Sequence, residues 1–197
     1  MPQFIHSQFV EDTALADRFI DYYKSNTSKH IDGKVGKNGA ACVDPSIKNS
    51  REISMPSEEA EISKEFCDQL QIVLDEYVKI YPEVNKLAKF TLVPYNIQYY
   101  KPNEGGYFQW HSERHTGTYP DSSRILVWMM YCHTIDNGGG TEFLHQNYTC
   151  KSEKGKIVIW PVDWTFTHRG VRTDREKMII TGWYNFLQDT IVYAQKI

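Results

Sequence analysis

His111 and Glu113 stand one residue apart at the end of the run Tyr107-Phe108-Gln109-Trp110-His111-Ser112-Glu113. On a β-strand successive side chains alternate between faces, so this spacing aims an imidazole and a carboxylate at one point while Ser112 turns away. A second imidazole from a later strand would complete a two-histidine, one-carboxylate facial triad, which leaves coordination positions open on iron(II) for oxygen chemistry. His168, 57 residues downstream in Trp164-Thr165-Phe166-Thr167-His168-Arg169-Gly170, is the best-placed candidate. A lone His-x-Glu occurs by chance in many chains, so this reading depends on the company the motif keeps. His115, two residues further along the same face, is an alternative ligand or a bystander.

A cationic group belongs in the same company. Period two puts Lys177, Ile179, Thr181 and Trp183 on one face of a late strand. A lysine buried there demands an anionic partner, and a dicarboxylate reaching from the metal to its ammonium would supply one. Arg172 and Arg175 are the alternative cations, and a solvated lysine at the start of a surface strand is the plain reading.

The elements that would position these residues fall into two halves. Asp12-Thr13 opens a helix over residues 14–25, with Leu15, Phe19 and Tyr22 or Tyr23 on one face. Residues 26–50, rich in Gly, Lys, Asn and Ser, read as a mobile loop leading into a strand, a candidate lid. After Pro56 the acidic run Ser57-Glu58-Glu59 opens a second helix, closed by Pro82, with the stripe Ile62, Phe66, Leu70, Val73, Tyr77 and Ile80. From Thr91 onward the period changes to two. Strands are expected over residues 93–101, 106–113, 124–133, 141–145, 156–160 and 177–187, with tight turns at Gly105-Gly106 and Asp136-Asn137-Gly138-Gly139-Gly140. Helices followed by a run of strands predict an α+β fold with N-terminal supporting helices and an antiparallel barrel or jelly-roll sandwich as its core, carrying the site in its mouth.

The 197 residues, 41% hydrophobic and 14% aromatic, suffice for one domain: helical support and lid over 1–90, jelly-roll core over 91–197. A formal charge of −3 supplies no global basic field, so nucleic acid is an unlikely partner. The four cysteines form no Cys-x-x-Cys pair and no disulfide framework. The N-terminus lacks the pattern of a signal peptide and no apolar run reaches membrane-spanning length, so a soluble, cytoplasmic monomer or homodimer is expected.

The segment from about Tyr99 to Trp183 resembles the iron(II)- and 2-oxoglutarate-dependent dioxygenases, most of all their prolyl 4-hydroxylase branch. The resemblance is carried by Tyr100 and Gly106-Tyr107 before His111-Ser112-Glu113, by Met130-Tyr131, Gly139-Gly140-Thr141-Glu142-Phe143 and Ile157-Val158-Ile159-Trp160-Pro161, and by Lys177 nine residues after His168. Upstream, Ser50-Arg51 is similar to the hydroxylases' N-terminal strand. It implies a double-stranded β-helix in which His111, Glu113 and His168 hold Fe(2+). Lys177 and Tyr131 would bind the distal carboxylate of 2-oxoglutarate, Tyr100 and Thr181 would line the co-substrate pocket, and Trp183 and Arg51 would face the substrate. The implied reaction consumes O2 and 2-oxoglutarate, releases succinate and CO2, and hydroxylates a prolyl residue of a peptide or protein, with ascorbate as the reductant. A free amino acid or small metabolite is the alternative substrate, and a non-catalytic β-sandwich binding module with a decayed metal site is the alternative to an enzyme. One departure stands out: the family's usual metal carboxylate is aspartate, and this chain has Glu113.

Overall fold

The computed structural model describes residues 3–37, 40–55, 61–114 and 120–187. The early strands are β1 (His6–Phe9), β2 (Ile31–Asp32), β3 (Val35–Lys37), β4 (Ala40–Cys42), β5 (Lys48–Asn49) and β6 (Arg51–Met55). The later ones are β7 (Phe90–Leu92), β8 (Tyr95–Tyr100), β9 (Gly106–Tyr107), β10 (Arg124–Tyr131), β11 (Thr141–Phe143), β12 (Tyr148–Cys150), β13 (Lys156–Pro161), β14 (His168–Gly170) and β15 (Lys177–Phe186). Two helices, α1 (Ala14–Ser25) and α2 (Glu61–Ile80), stand among the early strands.

The main sheet runs β1-β13-β10-β15-β8-β6-β2, with β7 paired to the end of β15 and every pairing antiparallel. A smaller sheet, β12-β11-β14, faces it, and the two form the jelly-roll core. Period-two alternation divides the main sheet's side chains between two apolar layers. Leu126, Trp128 and Met130 of β10 point to one side with Met178 and Ile180 of β15, where they pack under α1 and α2. Val127, Met129 and Tyr131 point to the other side with Ile179, toward the small sheet. The first ninety residues therefore supply three strands of the main sheet as well as helices and a cover.

Both helices follow the sequence signals with local differences. Asp12 accepts the Ala14 backbone N–H at 2.9 Å and closes the first turn of α1, while Thr13 makes no side-chain cap. The buried face of α2 is Ser63, Phe66, Leu70, Val73, Leu74 and Tyr77. Ile62 is only partly covered and Ile80, expected in the stripe, is exposed. Ser63 enters this layer because it accepts the hydroxyl of buried Tyr95 at 2.8 Å. Ser57-Glu58-Glu59 lies outside the described residues.

Two expectations are corrected. Residues 26–50 are not one loop: β2 pairs β6, β3 pairs β4, and β5 pairs β9. Pieces of two or three residues are too short to show an alternating pattern, so the sequence read as a connection. The strand expected over 106–113 is regular only over β9, because its backbone changes partners: Phe108 N–H donates to Ile47, His111 exchanges bonds with His168, and Glu113 N–H donates to Val162. The turn before β11 does use its glycines as expected, with φ of +81° at Gly138 and +69° at Gly139. Among the described residues no helix is long and apolar enough to cross a membrane.

Candidate metal and co-substrate site

His111 and His168 are brought together by a two-residue antiparallel bridge, each donating its N–H to the other's carbonyl at 3.0 and 2.9 Å. Their rings stand 4.3 Å apart. Glu113 Oε1 lies 3.6 Å from His111 Nε2 and 3.5 Å from His168 Nε2, and one donor atom from each of the three lies within 4.8 Å of the others. Ligands in adjacent positions around an octahedral ion with bonds of about 2.1 Å stand roughly 3 Å apart, so small side-chain rotations close this set.

The tautomers are fixed by the backbone. His111 Nδ1 lies 2.9 Å from the Gln109 carbonyl and His168 Nδ1 lies 2.8 Å from that of Phe166. A carbonyl only accepts, so each Nδ1 carries the proton and each Nε2 presents a lone pair to the carboxylate. Tyr107 stacks on the His111 ring at 3.6 Å, and Trp160 meets the His168 ring edge-on at 5.1 Å, which locks both orientations. Burial, with His168 next to it, holds the His111 imidazole below its ordinary pKa. Burial pushes the Glu113 carboxyl up, and protonation of the facing imidazoles, which would turn each Nε2 into a donor, outweighs that and holds the carboxyl well below the usual carboxylate range; with the rings neutral, a metal cation takes the place of those protons. Two lone pairs and a carboxylate converging without protons between them call for a cation, and the N,N,O donor set suits a divalent transition metal.

The three donors open into a cavity of about 350 Å³ between the two sheets. Lys177, Tyr100, Thr181 and Trp183 line it, as the alternation of β8 and β15 requires. Lys177 Nζ is buried between the rings of Tyr100 and Tyr131, 5.5 and 5.9 Å from their centroids, and donates to the Gly140 carbonyl at 3.4 Å. Among the described residues no carboxylate forms an ion pair with it, and burial pushes its pKa down to about 8. It is therefore a cation awaiting an anion.

Residues 95–185 match the sequence profile of the 2OG-Fe(II) oxygenase superfamily. That segment has the sequence pattern of a 2OG-Fe(II) oxygenase domain. Similar solved structures include a viral collagen prolyl hydroxylase from Paramecium bursaria Chlorella virus-1 in a 2OG complex (14% identity, 94% of this chain and 97% of that one, TM-score 0.68). A Pseudomonas putida prolyl-4-hydroxylase aligns at 16% identity over 94% of both chains, TM-score 0.64. A Trichoplax adhaerens prolyl hydroxylase, solved with a hypoxia inducible factor oxygen degradation domain peptide fragment, aligns at 13% identity over 92% of this chain and 83% of that one, TM-score 0.67. At these identities the likeness is one of fold. No curated protein sequence matches the chain.

Not every residue expected in the oxygenase pocket reaches it. Tyr131 lies behind the cavity wall and gives its hydroxyl proton to Thr141 Oγ1 at 2.7 Å, so Thr141 is the group that faces the pocket. Arg51 is exposed on β6 and pairs with Asp32 at 2.7 Å; alternation turns its neighbour Glu52 inward instead. Arg172 stacks on Phe108 at 3.8 Å and Arg175 is largely exposed, so neither competes with Lys177. His115 lies outside the described residues.

The cavity also holds groups that motif spacing does not reveal. Lys48 and Glu52 form a buried pair at 2.6 Å, with the Ser50 hydroxyl donating to the same Glu52 oxygen at 2.7 Å. Asn96 and Gln98 of β8 line the floor, and Arg124 joins them at the start of β10. Thr141 had a signal in the Gly-Gly-Thr-x-Phe run, and Asn96 and Gln98 had one in the inward parity of β8. Lys48 had none, because β5 is two residues long.

Proposed function

We propose that this protein is an iron(II)- and 2-oxoglutarate-dependent dioxygenase that hydroxylates a prolyl residue in a peptide or protein, with 1–197 forming one domain. The observation that carries the reading is the convergence of His111, Glu113 and His168 on one point of a cavity in which Lys177 is, among the described residues, the buried cation without a carboxylate partner in an ion pair. The match to the oxygenase superfamily supports the chemistry, and the prolyl hydroxylases of similar fold support the substrate class.

In this reading His111 Nε2, His168 Nε2 and Glu113 would hold Fe(2+), with ascorbate keeping it reduced. The bound metal supplies oxygen activation coupled to decarboxylation of 2-oxoglutarate into succinate and CO2. The chain's own residues do the positioning. Lys177 fixes the distal carboxylate of the co-substrate by a charge-assisted hydrogen bond in a dry pocket, and the Tyr100 ring packs beside it. The Thr181 hydroxyl donates to the Trp128 carbonyl at 2.9 Å, which leaves its lone pairs toward the cavity. The chain from β2 to β5 covers the opening, with Ile31, Val35, Gly36 and Ala41 on the wall, and so limits water beside the reacting atoms.

The test is succinate formation from 2-oxoglutarate with Fe(II) and proline-containing peptides, with a mass gain of one oxygen on the peptide. Activity is expected in the wild type and absent in His168→Ala. Succinate without peptide oxidation across a broad peptide panel, but with oxidation of a free amino acid, would replace the substrate class.

A further inference from the structure

Glutamate at position 113 puts the carboxylate on a longer arm than aspartate would, with one more torsion to order. The surroundings settle where that arm ends. Trp183 donates its indole N–H to Glu113 Oε2 at 3.0 Å, while Oε1 is the oxygen turned to the histidines. Trp183 is held in turn: the Arg124 guanidinium lies 3.8 Å from its ring centroid. Arg124 is anchored to Asp121 at 2.8 Å, donates to the Glu113 backbone carbonyl at 2.8 Å, and stands 3.7 Å from Oε2. A register shift between Arg124 and Leu126 in the β10–β15 pairing breaks the strand's regular parity there, a device that re-aims a side chain.

We propose that Trp183 and Arg124 are positioning residues that pin Oε2 of Glu113, so that the longer carboxylate offers a single oxygen, Oε1, to the metal. This rests on the reading of His111, Glu113 and His168 as a metal site. The indole and guanidinium take up one lone-pair direction and one charge, which removes the bidentate and swung-out rotamers that a free glutamate would sample. Partners of this kind, which orient a ligand without touching the metal, are worth 10- to 100-fold in metal affinity.

The experiment is Mn(II) binding to the full chain by calorimetry and electron paramagnetic resonance, in a cycle of wild type, Trp183→Phe, Glu113→Asp and the double variant, with His168→Ala as control and thermal melts to verify folding. Trp183→Phe is expected to weaken Mn(II) about 10- to 100-fold and to broaden the resonance. In the Glu113→Asp background the same substitution is expected to matter several-fold less, because the shorter carboxylate is withdrawn from the indole. A loss that is the same in both backgrounds, or a Trp183→Phe affinity within twofold of wild type, overturns the positioning role. If Trp183→Phe does not fold, Arg124→Met carries the same test. Wild-type protein that binds no Mn(II), or binds it as well after His168→Ala, overturns the metal site itself and the positioning role with it; binding that is lost in His168→Ala but indifferent to Trp183 overturns the positioning role alone.

Discussion

A lysine buried between two tyrosine rings, without a carboxylate beside it, keeps its proton at a cost to the fold. Lys177 has its pKa lowered from 10.5 to about 8, so the unfolded chain holds that proton more tightly. The penalty is fully present below about pH 8 and fades as pH rises from 8 to 10.5; stability therefore increases through that window. Lys177→Met should raise the stability of the metal-free protein at pH 7 by up to roughly 3 kcal/mol, several degrees in Tm, with the gain gone by pH 10.5. Melts at the two pH values check this, and an unchanged or lower Tm at pH 7 would count against it. The same substitution should abolish 2-oxoglutarate binding by calorimetry. In the wild type the Kd for 2-oxoglutarate should stay flat below pH 8 and rise above it, toward tenfold per pH unit, because only the ammonium attracts the carboxylate. At this scale Lys177 was legible from parity on one strand. The Tyr131 ring lies beside Lys177, but its hydroxyl turns to Thr141, and parity does not say which of two inward groups, Tyr131 or Thr141, stands in front.

The elements divide the labour between the two faces of the main sheet. Phe66 of α2 packs against Phe19, Tyr95 and Trp128, with ring centroids 5.4, 5.6 and 5.2 Å away, on the face opposite the cavity. Phe66→Ala should cost about 3–5 kcal/mol in chemical denaturation while leaving Mn(II) affinity within twofold. A variant that lost metal binding in proportion to stability would show that the helical layer shapes the site directly. Gly182 marks the tightest approach within this layer: a Cβ there would lie 2.7 Å from the Trp128 ring and 2.8 Å from Tyr95 Cβ. Gly182→Ala should therefore destabilise by about 1–3 kcal/mol, measured as a lower urea midpoint. The helices were legible because their apolar spacing persists over several turns. The cover made by residues 31–37 and 40–48 was not, because its strands are two or three residues long and two of them, β2 and β5, are held by partners farther along the chain.

For the whole molecule, the metal reading predicts that ligand binding and folding are linked. Mn(II) at one hundred times its Kd should stabilise the fold by about 2.7 kcal/mol, a rise of roughly 5–10 °C in Tm, and His168→Ala should abolish the rise. 2-Oxoglutarate should add a further increment only when the metal is present. The sequence by itself determined the donor types and their spacing, the helical stripes, the inward parity of Lys177, Thr181 and Trp183, and a jelly-roll class, because each is written in short-range periodicity. Only the tertiary structure decided which atoms face one another. The His111–His168 bridge brings the two imidazoles together, the Gln109 and Phe166 carbonyls set their tautomers, the changing backbone partners of residues 108–113 aim Glu113, and the Lys48–Glu52 pair and the Arg124–Trp183 stack form between strands whose separate patterns say nothing of each other. Periodicity specifies a face, whereas a site needs distances between strands that meet only when the sheet closes.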